Sequence, residues 1–162
     1  MADALKQWYV QGLQALTSAN ELGRKGADEG SYEAKNDEVA SLAESSAAMQ
    51  ARHAETIARL LKDAGGEPTG KDNPAMKGIY QAINEMIDGA DEQVKDAAAL
   101  AGAQLAFHYY IAAYGSLAAD ARHVGDDDAA AQIATLGDEV AAQDRKYTDC
   151  AETLANRQAA DA

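Results

Sequence analysis

A chain of 162 residues is long enough to bury one substantial core and too short for two, so one domain over residues 1–162 is expected. Its formal charge of −13 repels phosphate backbones and anionic lipid surfaces, and no Lys/Arg cluster locally reverses that balance; this argues against nucleic-acid and membrane partners. Abundant alanine, two prolines and the scarcity of alternating β-branched residues predict an all-α protein. The first residues have no basic flank followed by an apolar run, and no stretch approaches the roughly 20 apolar residues of a membrane span, so a cytoplasmic protein is expected.

Leu5, Tyr9, Leu13, Leu16 and Asn20 recur at three- and four-residue spacing and predict a first helix from about Asp3 to Lys25, weakened beyond by Gly23, Gly26 and Gly30. Asn36 followed by Asp37 and Glu38 reads as an N-cap with acids placed favourably in the helix dipole. The second helix then carries Val39, Leu42, Ser46, Met49, His53, Thr56 and Leu60 in heptad spacing up to the breaker Gly65-Gly66-Glu67-Pro68. Asn73-Pro74 starts a short helix with Met76, Ile79, Tyr80, Ile83 and Ile87 on one face. That face is read as packing on the bundle, with a homodimer contact as the alternative.

A third long helix is predicted over Asp91–Val124, with Leu100, Gln104, Phe107, Ile111, Tyr114 and Ala118 as its seam. Gly125 stops it, and Asp126-Asp127-Asp128 is read as a solvated cap of the last helix, because adjacent aspartates do not converge on one ion. The last helix presents Ile133, Leu136, Val140, Gln143, Tyr147, Cys150 and Leu154; Cys150, the single cysteine, is read as a core thiol. Four long amphipathic helices with a short one between the second and third match a bundle with a crossover connection.

Pro74-Ala-Met76, Gly78, Val94-x-Asp96-Ala-Ala-x-Leu100, Gln104, His108-Tyr109, Tyr114-Gly115, Leu117, Gly125, Asp144 and Ala151 share one register. On these residues, and on Asn36-x-Glu38 where the family has a helix-starting Ser-Pro-Glu, the chain resembles the YciE/YciF-type ferritin-like family from about Ala19 to Leu154. The resemblance implies a ferritin-like four-helix bundle with a short extra helix between the second and third long helices. It also implies an association with bacterial stress, a homodimer and a dinuclear iron or manganese centre.

Carried over residue by residue, the family's metal ligands fall on other residue types here. The first-helix glutamate falls on Asn20, the His-x-x-Glu pair on Ser46 and Met49, and the Glu-x-x-Glu pair on Phe107 and Tyr110. The Glu-Glu pair of the last helix falls on Glu139 and Val140, with Asp144 following. Heptad phase alone puts Ser46, Met49, Phe107 and Val140 inward and Glu139 beside its seam, free to turn its carboxylate outward. Two divalent ions bring four positive charges, which about four carboxylates plus His balance in carboxylate-bridged sites. A core with no metal and no cofactor is therefore expected.

His53 turns inward and is read as a core-edge imidazole bonded to Gln104 or Gln143; His108 points away from the seam centre, and His123 caps a helix end. The seam tyrosines are read as packing residues with hydroxyls aimed at polar partners. There is no Gly-rich phosphate loop after a strand, no zinc spacing and no nucleophile elbow, so hydrolase and nucleotide chemistry have no support. The favoured reading is a non-enzymatic, stress-associated, structural or binding protein. One alternative is a di-metal oxidase or ferroxidase with an altered ligand set drawn from His53, Glu139 and Asp144. The other is a small-molecule binding module lined by Tyr110, Tyr114, Gln104, Gln143 and His53.

Overall fold

The computed structural model describes residues 2–29 and 32–160, with the side chains of residues 3–24 and 32–154. Among the described residues there are five helices and no strand: α1 (Ala2–Glu29), α2 (Asp37–Asp63), α3 (Pro74–Asp88), α4 (Lys95–His123) and α5 (Asp127–Ala160). α1 and α2 form one hairpin, α4 and α5 the other, and α3 lies in the crossover between them. α1 packs on α2 and α4, and α5 packs on α4 and α2, so α2 and α4 occupy opposite corners. This is the four-helix bundle with a short extra helix that the sequence predicts. No described helix is long and apolar enough to cross a membrane.

The expected caps set the starts of α2 and α3. Asn36 Oδ1 accepts from the N–H groups of Glu38 (2.9 Å) and Val39 (3.4 Å), and Asn73 Oδ1 accepts from Met76 N–H (3.0 Å) with Pro74 opening the helix. α2 ends where Gly65 adopts a φ of 79°, which lets Gly66 N–H close back on the Leu61 carbonyl at 2.9 Å. Asp126 caps α5 by accepting from Ala129 N–H at 3.0 Å.

The end of α1, the start of α4 and the seam of α4 differ from expectation. α1 continues past Lys25 to Glu29, and Gly23 within it serves close approach rather than helix ending: a Cβ there would lie 2.9 Å from the Tyr80 hydroxyl and 3.0 Å from that of Tyr110. α4 begins at Lys95 instead of Asp91, since the preceding turn is drawn toward the start of α2. Lys35 Nζ pairs with Glu92 at 2.8 Å, and Asp96 accepts from the N–H groups of Lys35 (3.1 Å) and Asn36 (3.0 Å) and from the Tyr32 hydroxyl. The buried face of α4 runs Leu100, Phe107, Tyr110, Tyr114, Leu117 and Ala121, leaving Gln104 and Ile111 at its margin. A strict heptad drifts off a straight helix, and α4 has neighbours on three sides, α1, α3 and α5.

α3 lays Met76 and Ile83 into the core against α4 and α1, with Ile83 seated on Gly102, so its apolar face packs within the chain. The last helix follows its predicted stripe closely: Ile133, Leu136, Val140, Gln143, Tyr147, Cys150 and Leu154 are all buried. On α2, by contrast, Ile57 takes the fully buried place and Thr56 is only half-buried.

Candidate functional site

The centre of the bundle is a chain of polar groups set in aromatic packing. His53, from α2, is completely buried; its Nε2 lies 3.0 Å from Glu139 Oε2 of α5 and its Nδ1 3.2 Å from the Tyr114 hydroxyl of α4. Tyr114 in turn lies 3.5 Å from Asn20 Oδ1 of α1, so one residue from each long helix takes part. The Glu139 carboxylate is 42% exposed and also faces Arg52 at 3.5 Å. His53 and Tyr114 meet edge to face at 5.6 Å, and Tyr110 stacks on Tyr114 at 6.1 Å. Tyr110 donates to the Ala19 carbonyl at 2.7 Å.

These contacts set the protonation pattern. Burial lowers the His53 pKa from its ordinary 6.5 and outweighs the opposing pull of Glu139. The hydrogen bond from His53 holds Glu139 below its ordinary 4.5. A neutral imidazole whose Nε2–H donates to the carboxylate and whose Nδ1 accepts from Tyr114 satisfies both shifts. Among the described residues the buried Asn20 Nδ2 has no hydrogen-bond partner; a half-turn of its amide brings that donor to the Tyr114 oxygen and completes the chain.

A pH dependence follows. The stability held by neutral His53 is complete above pH 6.5 and is lost as pH falls toward the lowered folded value, while the half-exposed Glu139 adds a smaller loss of the same sign below 4.5. Urea unfolding of the wild type should weaken between pH 7 and pH 5 by up to about 1.4 kcal/mol per unit, and the advantage over His53→Gln should shrink across the same range. A gap that stays constant with pH would contradict a buried neutral imidazole.

The sequence-predicted partners of His53 are corrected here. Gln143 instead donates to Ser45 Oγ (2.6 Å) and Ser46 Oγ (3.0 Å), and Gln104 donates to Thr148 Oγ1 (2.7 Å) on the α4–α5 margin. The reason is antiparallel registry: α2 and α5 pair His53 with Glu139, and therefore Ser46 with Gln143 and with the Tyr147 hydroxyl at 3.0 Å. Glu139 also departs from the expected outward turn, because its carboxylate closes over His53 from the bundle edge.

The other positions aligned with family ligands are filled by packing. Met49, Phe107, Tyr110 and Val140 are each 5% exposed or less, and Phe107 meets Tyr147 edge to face at 4.9 Å. Asp144 does not join His53 and Glu139; its Oδ2 lies 3.5 Å from the exposed His108. Among the described residues no group of three or more His, Cys, Asp or Glu side chains is placed to hold an ion. A carboxylate-bridged pair of ions needs about four acidic ligands, so one imidazole and one carboxylate already engaged with Arg52 do not fit it.

Beside this polar chain lies a cavity of about 180 Å³. Of the residues expected to line a ligand site it has only Tyr110; Ser46, Phe107 and Tyr147 join it, together with Gln50 and Tyr80. Sequence reasoning missed Gln50, which lies off the α2 heptad seam, and gave Tyr80 only a packing role on the apolar face of α3. The available signal was Ala43 and Ala47 on α2 with Ala99 and Ala103 on α4, small side chains one turn apart on opposite corners of the bundle.

Comparison with known proteins agrees with this architecture. The family described as a domain of unknown function, DUF892, matches residues 4–160. Protein YciF of Escherichia coli K12 is 40% identical over 86 residues, 52% of each chain, so the sequence match spans about half the length of that relative. The crystal structure of the E. coli stress protein YciF superposes with a TM-score of 0.86 at 25% identity, covering 94% of this chain and 97% of that one. YcfI of Rhodopseudomonas palustris, a proposed structural protein, superposes with a TM-score of 0.83 at 28% identity over 89% and 92%. With the family match running from residue 4 to residue 160, the chain belongs to the DUF892 family of YciE/YciF-type helical bundles.

Proposed function

We propose that this chain is a non-enzymatic, cytoplasmic, stress-associated structural protein, built on a ferritin-like bundle whose core works without metal. The observation that carries the reading is the occupancy of the ligand positions: Met49, Phe107, Tyr110 and Val140 are buried packing residues, and His53 and Glu139 satisfy each other. Burying each large apolar side chain contributes roughly 1.5–3 kcal/mol, whereas an unpaired buried charge costs several, so these substitutions favour a metal-free core. Relatives bearing the names stress protein and proposed structural protein support the biological half of the reading. A homodimer, as the family resemblance implies, is part of it.

Elemental analysis of protein produced in iron- and manganese-rich medium should find well under one ion per chain. Two ions per chain, with oxygen-dependent iron oxidation abolished by Glu139→Ala, would establish the altered oxidase instead.

A further inference from the structure

The cavity beside the polar chain draws walls from all five helices. Ser46, Ala47 and Gln50 come from α2, Ala103, Phe107 and Tyr110 from α4, with Gly23, Tyr80 and Tyr147 supplied by α1, α3 and α5. We propose that it binds a small, neutral, hydroxyl-bearing aromatic molecule of the phenol class.

Size is the first argument. An engineered apolar cavity of about 150 Å³ accepts benzene, so about 180 Å³ suits a single substituted ring. Charge is the second: among the described residues no Asp, Glu, Lys, Arg or His lines the cavity, and burial raises the pKa of Tyr80, Tyr110 and Tyr147, which keeps their hydroxyls neutral. An ion entering this space would have no counter-charge. The walls themselves are aromatic and alanine-rich, with Phe107 and Tyr147 already meeting edge to face, the geometry in which a further ring packs well.

Hydrogen bonding selects the hydroxyl. Gln50 is only 7% exposed, yet its Oε1 is buried with no hydrogen-bond partner among the described residues. A buried acceptor left unpaired is costly, and a half-turn of the amide that brings this oxygen to the cavity lets a donor carried in by a ligand relieve that cost. The amide can present oxygen or nitrogen after a half-turn, so it meets a phenolic hydroxyl as acceptor or as donor. The glycine at position 23 keeps the Tyr80 and Tyr110 hydroxyls in place at the same wall, where a Cβ would displace them.

This inference goes beyond the metal-free reading, since neither His53 nor Glu139 lines the cavity. Elemental analysis decides that reading, and ligand titration decides this one.

Phenol and toluene should be titrated into the full-length chain by calorimetry, with two-dimensional NMR reporting which residues respond. Phenol is expected to bind saturably at one site, with shifts centred on Gln50, Phe107 and Tyr110. Ala47→Leu and Ala103→Leu fill the cavity from opposite walls, and whichever retains helical circular dichroism should lose saturable binding. Gln50→Leu should weaken phenol by about three- to tenfold and leave toluene within about twofold. A non-saturating phenol response of the wild type, or saturable binding kept by the folded leucine variants, overturns the site. Equal losses of phenol and toluene on Gln50→Leu overturn the role of its amide.

Discussion

Phe107→Glu is expected to bring the protein close to unfolding at pH 7. Phe107 is 4% exposed and packs against Tyr147, so the change forfeits roughly 1.5–3 kcal/mol of burial and leaves a carboxylate in the bundle interior without a counter-charge, costing several kcal/mol more. The total, at least about 5 kcal/mol, matches the lower end of a domain's net stability of about 5–15 kcal/mol and lowers the melting temperature by about 10–20 °C. Two controls identify the cause. Acidification neutralises the introduced carboxyl, so the deficit relative to wild type at the same pH should narrow; Phe107→Leu removes the ring without adding charge and should cost far less. Iron(II) or manganese(II) should give no rescue, because Ser46, Met49 and Tyr110 supply no further carboxylates. Recovery of the wild-type melting temperature at stoichiometric metal would mean that the interior can still assemble an ion site, and would defeat the metal-free proposal.

Tyr114→Ala should be nearly as damaging, by about 3–5 kcal/mol, because it empties a fully buried ring position between His53 and Tyr110. Tyr114→Phe keeps the ring and removes only the hydroxyl, leaving His53 Nδ1 without its donor at a cost of about 1–3 kcal/mol. The two substitutions therefore separate packing from hydrogen bonding at one position. Combining Tyr114→Phe with His53→Leu should cost less than the sum of the single changes by about 0.5–3 kcal/mol, since the second change removes the group that the first leaves unpaired. Chemical denaturation of the four proteins measures this directly. Strict additivity would show that the 3.2 Å contact contributes nothing to stability.

Much of the architecture was legible because it rests on local chemistry. Asn36 and Asn73-Pro74 are caps that act within a single turn, and the stripe from Ile133 to Leu154 is a pattern that one helix carries regardless of its neighbours. The family resemblance, read over about residues 19–154, aligns with a family match over residues 4–160. Less legible were α4, whose alanine-rich surface is apolar on several sides, and the glycines of α1. Gly23 looks like a helix breaker in sequence and becomes intelligible only when two tyrosine hydroxyls from α3 and α4 arrive beside it.

The sequence by itself determined the helical class, the caps, most of the inward stripes and the residue types at the centre, because side-chain spacing and end chemistry act along a single helix. Which of those residues meet was decided by the packing of the two hairpins. Antiparallel registry gives His53 to Glu139 and Tyr114, sends Gln143 to Ser45 and Ser46, and places Gln50 beside a cavity with no partner for its Oε1 among the described residues. Such pairings depend on axial offsets between separate helices. A shift of one turn, about 5.4 Å, would exchange every partner while leaving each helix's own pattern unchanged.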